Sequence, residues 1–130
     1  MRPTERTLKA LRDEGYAADI VERFNAFSRC RSDMFGFADV IAMSANNTIV
    51  AIQCCAAGDH AKHRAKILAE PLAEWWLDCG GSILLYSWGK RKLKRGGKAV
   101  RWTARIERIE LEAFDRINEM QEQEANEART

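Results

Sequence analysis

RSDMFGFADVIAMSANNTIVAIQCC, residues 31–55, contains the two apolar runs that decide the fold of this chain. These runs predict two short strands, at 35–43 and 48–55, in which nearly every side chain is apolar. The Ala-Asn-Asn sequence at 45–47 separates them, and Asn tolerates the left-handed backbone that a tight turn requires. The stretch therefore predicts a β-hairpin whose strands are buried on both faces.

Each predicted strand carries one polar residue near its end, Asp39 in the first strand and Gln53 in the second. A carboxylate inside an apolar strand is costly unless a partner compensates its charge. A divalent metal ion is a common partner of this kind, and carboxylate and amide oxygens both suit a hard cation. The pattern therefore indicates a metal site that Asp39 and Gln53 share.

Length and composition are those of one ordinary globular domain. The chain has 130 residues, of which 46% are hydrophobic and 31% charged, and a net charge of +2. We expect a single domain at 1–118 and an acidic tail at 119–130 that frays, because the tail has no apolar face. No apolar run reaches the ~20 residues needed to cross a bilayer, and the N-terminus lacks the apolar segment of a signal peptide. We therefore expect a cytoplasmic protein that binds no membrane.

The periodicity predicts the order α-β-β-β-α-β-β-α, an α/β fold with a mixed sheet. Outside the hairpin, the predicted elements are a helix at 4–14 capped by Thr4, a strand at 16–24, a polar loop at 25–32, a helical region from Asp59 to Cys79, strands at 82–88 and 100–106, and a helix from 107. Pro71 either kinks the long helical region or begins a second helix. The strand at 82–88 should run parallel to the one before it, because a helix separates them.

The hairpin resembles the core of the PD-(D/E)XK nuclease superfamily. In that family an Asp on one strand, and an acidic residue or Gln on the next, hold a divalent metal. Asp39 matches the Asp, and Gln53 matches the Gln of the Q-x-K variant found in Mrr-like restriction nucleases. The likeness is strongest to small phage-encoded and Holliday-junction-resolvase-like members, and it extends from about residue 16 to about residue 102. One departure stands out, because Cys55 occupies the position of the motif's Lys.

This resemblance implies a restriction-endonuclease-like core, with a central mixed sheet flanked by helices. It also implies Mg²⁺ or Mn²⁺ as the cofactor and a homodimer that acts on branched DNA. The gene would be phage-encoded, with its product acting in the host cytoplasm.

Three further groups are candidate metal ligands. The backbone carbonyl of Cys54 follows Gln53 directly. Glu22 is a candidate because many members of the superfamily reach the metal with an acid from their first helix or strand; alternatively, it pairs with Arg23 or Arg29 at the surface. Asp33 either adds a second carboxylate to the site or caps the turn into the strand.

Cys55 cannot supply the permanent positive charge of the missing Lys. It lies on the same strand face as Gln53, roughly 6.6 Å away. The nearest replacements follow on the next helix, where Lys66 is preferred, since relatives have a similar Arg-x-Lys, and Arg64 comes next. Alternatively these residues, with Lys62, contact phosphates or are simply solvated.

A dense group of cations, most of them in the predicted loop at 89–97, indicates a surface for DNA phosphates. The predicted nucleic-acid contacts are Arg31, Lys62, Lys90, Arg91, Lys92, Lys94, Arg95 and Lys98. Trp88 and Trp102 flank this group, where they could stack on bases or belong to the sheet.

His60 and His63 could transfer protons in catalysis, although histidines at a helix start are more often surface residues. A zinc site built from these histidines and the four cysteines is also conceivable. The chain has no C-x-x-C pair, however, so thiols that fill the core are the default expectation.

The sequence therefore predicts a metal-dependent DNA endonuclease that selects branched substrates such as Holliday junctions. The main alternative is a catalytically inactive DNA-binding or assembly module on the same fold, marked by the missing Lys. A third possibility is an unrelated α/β interaction protein, which would bind neither metal nor DNA.

Overall fold

The structure, a computed structural model, describes residues 1–46 and 48–129. The helices are α1 (Pro3–Asp13), α2 (His60–Leu68), α3 (Pro71–Asp78) and α4 (Leu111–Arg129). The strands are β1 (Ala17–Ile20), β2 (Arg23–Asn25), β3 (Cys30–Ser32), β4 (Val40–Met43), β5 (Ile49–Ala56), β6 (Ser82–Lys92) and β7 (Val100–Ile109).

Five of the strands form one mixed sheet in the order β1-β4-β5-β6-β7. Neighbouring strands are antiparallel except β5 and β6, which are parallel and are connected through α2 and α3. β2 and β3 pair only with each other and form a separate hairpin. The predicted α/β class with a mixed sheet is therefore confirmed.

The sheet is covered on both faces, which explains why its central strands are almost wholly apolar. α1 packs on one face, where Leu11 contacts a cluster that includes Val40, Ile52 and Cys54. Helices α2 to α4 cover the other face, called here the helix face, with Cys55 among the residues buried there. Cys54 and Cys55 thus lie on opposite faces, as the alternation of a strand requires.

Several local predictions are confirmed. β4 and β5 form the predicted antiparallel hairpin, although Asn47 of its turn lies outside the described residues. β6 runs parallel to β5, and Pro71 begins a second helix rather than kinking the first. β7 is an edge strand of the sheet.

The first strand of the hairpin is shorter than predicted, because residues 34–38 form a turn. The turn is closed by a bond from Ala38 N to Met34 O, 3.0 Å long. Phe35 and Gly36 have φ angles of 55° and 81°. A β-strand cannot include this left-handed backbone, so β4 begins only at Val40. A methyl group at Gly36 would also overlap the Glu70 carboxylate, which accepts from Leu72 N at the start of α3.

Two predictions around residues 16–32 are wrong. The single strand predicted at 16–24 is divided into β1 and β2, since the chain leaves the main sheet at Val21 and Glu22. The predicted loop at 25–32 instead completes the β2–β3 hairpin. No apolar alternation marks this hairpin, because every one of its residues from 23 to 32 is exposed.

The chain termini also differ from the prediction. α1 begins at Pro3 with Arg2 at its N-cap, so Thr4 lies inside the helix. β7 continues to Ile109, and α4 begins only at Leu111. Residues 119–129, predicted to fray, continue α4 as an exposed helix. Within the described residues, no helix has the length and apolar character that a membrane span needs.

Candidate functional site

Asp39 lies directly before β4 and is held against β5 by backbone and side-chain bonds. Its backbone N donates to Ile52 O at 2.9 Å. Its Oδ2 accepts from Gln53 Nε2 at 2.6 Å and from Cys54 N at 2.8 Å. Asp39 and Gln53 are only 3% and 2% exposed. The two polar residues of the hairpin are therefore in direct contact inside the protein.

Two further carboxylates converge on Asp39. Carboxylate oxygens of Glu22, Asp33 and Asp39 all lie within 4.8 Å of one another, and these three residues are called here the acid cluster. Glu22 arrives from the end of β1, where Val21 N and Glu22 N donate to Asp39 O at 2.8 and 3.3 Å. Asp33 arrives from the end of β3. Three segments thus bring together acids that lie up to 17 positions apart in the sequence.

The acid cluster retains a proton at neutral pH. Burial, followed by the hydrogen bond with Asp33 and the charges of Asp33 and Glu22, raises the pKa of Asp39 to about 8. Burial acts in the same direction on Asp33, but hydrogen bonds from Asp39 and Lys66 outweigh it and lower the pKa of that carboxyl group. A cation bound here would take the place of the proton that Asp39 holds.

Oxygen donors beside the acid cluster fit a hard divalent cation. Gln53 Oε1 is buried and has no hydrogen-bond partner among the described residues. The N–H and C=O groups of one strand residue point to the same side of the strand. Because Cys54 N points at Asp39, Cys54 O also faces the space beyond the start of β4. The donor set is thus carboxylate, amide and backbone oxygen, which suits Mg²⁺ or Mn²⁺ better than zinc.

Lys66 is the candidate cation that reaches the acid cluster. Its Nζ, projecting from α2, is hydrogen-bonded to Asp33 Oδ2. Cys55 is buried on the helix face, and burial followed by the charges of Asp59 and Asp39 raises the pKa of its thiol to about 11. Cys55 is therefore neutral, and Lys66 supplies the positive charge on this side.

Glu22 is tied down by two arginines. Arg2 Nη1 and Arg31 Nη1 lie 3.0 and 2.9 Å from Glu22 Oε1. The alternative pairing of Glu22 with Arg23 or Arg29 is therefore wrong. Arg31, a predicted phosphate contact, lies at the edge of the acid cluster.

Arg64 lies in a second polar cluster, further along the helix face. His60 Nδ1 is 2.7 Å from Ser87 Oγ, and His60 Nε2 is 2.8 Å from Glu107 Oε1. Arg64 Nε donates to Glu107 Oε2 at 2.7 Å. We call these four residues the histidine network. Burial opposes ionisation of Glu107, but its bonds from Arg64 and His60 prevail and lower its pKa.

The remaining histidine and the cysteines do not form a metal site. His63 lies on α2, and burial, followed by the charge of Lys66, lowers its pKa. Within residues 1–46 and 48–129, the acid cluster is the one group of three or more His, Cys, Asp and Glu side chains whose ligand atoms lie close enough to share an ion. The four cysteines are free thiols, two buried and two exposed. The zinc alternative therefore has no support in the fold.

The predicted basic loop is largely a β-hairpin arm. β6 and β7 remain paired as far as Lys92 and Val100, and Leu93 N donates to Ala99 O at 3.1 Å near the tip. Residues 89–101 are called here the basic arm. All of its predicted DNA contacts are exposed, and they are Lys90, Arg91, Lys92, Lys94, Arg95 and Lys98.

The basic arm extends from the end of the sheet that carries the acid cluster. Gln53 is paired with Leu85 and Ala56 with Trp88 on the parallel strand, so β6 continues beyond β5. Lys90 lies five residues past the level of Gln53, a distance of roughly 17 Å along an extended strand. The basic arm therefore extends beyond the end of the sheet at which the acid cluster lies.

The two tryptophans that flank the basic residues have different surroundings. Trp88 Nε1 donates to Thr7 Oγ1 at 2.9 Å, so this ring anchors α1 to the sheet. Trp102 is exposed, and Arg6 Cζ lies 3.8 Å from the centroid of its ring. Of the two, only Trp102 is accessible for stacking.

Sequence reasoning missed Arg2 beside Glu22 and missed the histidine network as a unit. His60 was singled out, but its partners lie 27 and 47 residues away and are brought to it by sheet order. No local signal in the sequence marks such contacts.

No known family model, curated protein or solved structure matches this chain.

Proposed function

We propose that the chain is a divalent-cation-dependent deoxyribonuclease, built on a restriction-endonuclease-like core with a Q-x-C form of the PD-(D/E)XK motif. The observation that carries the proposal is the contact of Asp39 with Gln53 at the centre of the acid cluster. Three carboxyl groups, of which Asp39 is buried, meet there beside the buried Gln53 Oε1, which has no partner among the described residues, and oxygen donors of this kind suit a hard cation.

The sheet topology supports the same assignment. Both motif residues lie on the antiparallel β4–β5 hairpin or directly before it, and a parallel strand follows through a helical crossover. A mixed sheet of this kind is compatible with the core that the resemblance implies.

In this proposal Mg²⁺ or Mn²⁺ is held by Asp39, Glu22 and Asp33, with Gln53 Oε1 and Cys54 O as neutral donors. A divalent ion there supplies an activated water and neutralises charge on the phosphoryl oxygens. The protein's own part is to hold these oxygens in place. Asp39 would give up its proton to bind such an ion, because the positive charge of the ion would favour the carboxylate that burial disfavours.

Lys66 takes the role that the motif's Lys has in the family. Its ammonium group is already beside the acid cluster through Asp33, and the neutral Cys55 leaves that role open. Lys66 would stabilise negative charge that develops on the scissile phosphate. Arg64 is not assigned this role, because Glu107 holds its guanidinium in the histidine network.

The basic arm would position the substrate through phosphate contacts that carry no sequence information. Selectivity for branched DNA and action as a homodimer are part of the proposal because the resemblance implies them.

The test is cleavage by the purified chain with Mg²⁺, with Mn²⁺ and with EDTA. The substrates are supercoiled plasmid, linear duplex, a flap and a four-way junction of matched sequence. We expect cleavage that requires the metal, with the branched substrates cut fastest. DNA binding without cleavage under any metal would favour the inactive module, which the replacement of Lys by a neutral thiol at Cys55 makes the second candidate. Absence of both metal and DNA binding would overturn the proposal.

A further inference from the structure

The β2–β3 hairpin projects directly from the acid cluster. β2 begins one residue after Glu22, and β3 ends one residue before Asp33. Three residue pairs hold the hairpin together, from Arg23↔Ser32 at its base to Asn25↔Cys30 near its tip. The base of the hairpin is thus attached to the acid cluster through Glu22 at one end and Asp33 at the other. We call residues 23–32 the aromatic hairpin.

The tip of the aromatic hairpin presents a solvent-exposed ring on a hydrogen-bonded turn. Asn25 Oδ1 accepts from Phe27 N at 2.9 Å and from Ser28 N at 3.3 Å, an arrangement that holds the backbone of the turn. Phe27 is fully exposed and belongs to neither core cluster. Phe24, on β2, is also exposed. A large apolar ring that is fully exposed contributes no burial to the stability of the fold.

The charge of the aromatic hairpin suits a polyanion. Its ten residues include three arginines and no acid. Arg31 pairs with Glu22 at the base. In the part of the chain that the structure describes, neither Arg23 nor Arg29 forms an ion pair. The two free guanidinium groups lie on either side of Phe27 in the sequence.

The aromatic hairpin and the basic arm project from the same end of the sheet. β1 and β5 are both antiparallel to β4, so β1 runs in the same direction as β5 and its parallel neighbour β6. The aromatic hairpin follows the end of β1, and the basic arm continues β6. Their origins are three strand spacings apart, roughly 14 Å. The acid cluster lies between them.

We propose that Phe27 stacks on an unpaired nucleobase of DNA while Arg23 and Arg29 contact the adjacent phosphates. The inference rests on the proposed nuclease function and names its substrate class, which is DNA with splayed or unpaired bases near the scissile phosphate. Every base presents a flat face to an aromatic ring, so this contact needs no particular sequence. In a continuous duplex the same contact would require unstacking, which costs a few kcal/mol per step.

The geometry sets the distance between the stacked base and the cut. Phe27 lies five residues beyond Glu22, so their Cα atoms are at most about 17 Å apart along an extended strand. One strand of B-DNA advances about 3.4 Å per nucleotide, which places the cut within about five nucleotides of the stacked base.

The test compares Phe27→Ala, Phe27→Trp and the unaltered chain in EDTA, by fluorescence anisotropy with three labelled DNAs. These DNAs are a four-way junction, a single strand and a continuous duplex. The loss of one base–aromatic stack predicts an affinity lower by about 5- to 150-fold for F27A on the junction and the single strand. Binding of the duplex should change less than about twofold, and F27W should restore junction binding. Ile49→Ala is the matched control, because Ile49 is an exposed apolar residue at the opposite end of β5.

Equal affinity of F27A and the unaltered chain for the junction would overturn the inference, as would an equal loss on all three DNAs. A loss confined to binding of anionic lipid vesicles would also overturn it, since the occupant would then be a membrane. Cleavage of supercoiled plasmid separates this inference from the proposed function. If both proteins cleave with Mg²⁺ but bind the junction equally, only the role of Phe27 fails. If neither cleaves but F27A selectively loses junction binding, only the nuclease proposal fails.

Discussion

The acid cluster and the histidine network lie on the same face of one sheet, yet they satisfy their polar groups in opposite ways. In the histidine network, the Arg64 guanidinium donates to the Glu107 carboxylate, and both ring nitrogens of His60 have partners. In the acid cluster, three carboxyl groups converge, Asp39 holds a proton, and Gln53 Oε1 has no partner among the described residues.

This difference indicates that the histidine network stabilises the fold, whereas the acid cluster is suited to binding a ligand. A buried polar group with all its bonds made stabilises one conformation, and nothing further is needed from solution. In the acid cluster, a buried acceptor lacks a partner among the described residues and lies beside carboxyl groups that oppose one another's ionisation, and the proposed cation would satisfy both. Stability and activity should therefore respond in opposite ways when the two clusters are altered.

The largest expected effect is on cleavage, from Asp39→Asn. Removing the central carboxylate should lower the metal-dependent cleavage rate by about 1000-fold or more, because the principal anionic ligand is lost. The melting temperature should not fall, because Asn keeps an oxygen for Gln53 and Cys54 and has no ionisation for burial to oppose. Plasmid nicking and thermal unfolding by circular dichroism measure the two effects.

Asp19→Asn is the matched control for that substitution. Asp19 is an exposed carboxylate on β1 that pairs with Arg12, so its cleavage rate should stay within about twofold of the unaltered chain. Retention of a tenth or more of the activity by D39N would remove Asp39 from the mechanism.

In the histidine network, His60→Ala should act on stability. It leaves Ser87 and Glu107 without their shared partner, at a cost of about 2–4 kcal/mol in the free energy of unfolding. Urea denaturation measures the cost, and H63A on the same helix should lose less than about 1 kcal/mol, because His63 Nδ1 has no bond to lose. Equal losses in the two variants would contradict the structural role of the network.

Substitution of Lys66 by Met should lower the single-turnover cleavage rate by about 10- to 100-fold, with DNA affinity nearly unchanged. Its charge acts on the transition state rather than on binding. Lys62→Met removes the same charge from an exposed position on α2 and should lower affinity slightly, with little effect on rate. If K62M slowed cleavage as much as K66M, the effect of K66M could not be assigned to the position of Lys66 beside the acid cluster.

The pH dependence of stability should distinguish the clusters without any substitution. An acid whose pKa is raised by folding binds its proton more tightly in the folded state, so stability falls as pH rises from about 4 to about 8. The slope is at most about 1.4 kcal/mol per pH unit for one proton. The lowered pKa values of Asp33 and Glu107 contribute stability that is lost only below about pH 4, outside this window.

Thermal unfolding in EDTA from pH 5 to pH 8 should therefore show a falling melting temperature, and D39N should remove the trend. Mn²⁺ should stabilise the unaltered chain more at pH 8 than at pH 6, because it binds the deprotonated cluster. A metal effect that does not vary with pH would count against Asp39 as the ligand.

The smallest expected effect is that of the basic arm. Replacing Lys92, Lys94 and Arg95 by Gln removes three cations outside both clusters, so neither stability nor the chemical step should change. Duplex affinity should fall by about tenfold at moderate salt, and the slope of log K against log salt should decrease by about 2.7, or 0.9 per phosphate contact. An unchanged slope in anisotropy titrations would show that DNA binds elsewhere.

The sequence predicted the parts of the fold that local patterns determine. Asp39 and Gln53 could be identified because each is the single polar residue near the end of an apolar run. The parallel β6 could be found because a helical region of about twenty residues precedes it. The start of the first hairpin strand was misplaced because apolar residues already occupy the turn at 34–38, and only the left-handed backbone of Phe35 and Gly36 excludes this turn from the strand.

Side-chain contacts between segments that are distant in the sequence could not be predicted. Arg64 and Lys66 lie two residues apart on one helix, and both were candidates for the same role. Their side chains diverge, one to Glu107 on β7 and the other to Asp33 after β3, and only the order of strands decides which cation meets which acid. The aromatic hairpin was missed for a related reason, since it packs on nothing that would impose an apolar pattern.

The turn at 34–38 has a consequence for the spacing of two of the acids. Asp33 and Asp39 lie on either side of this turn, so their separation depends on how tightly the chain reverses there. That reversal depends on Gly36, a residue with no side chain, at a φ of 81°. A side chain at that position would overlap the Glu70 carboxylate, so the turn could not keep both its shape and its contact with the start of α3. The arrangement of the acids is therefore linked to the packing of a helix that contributes none of them.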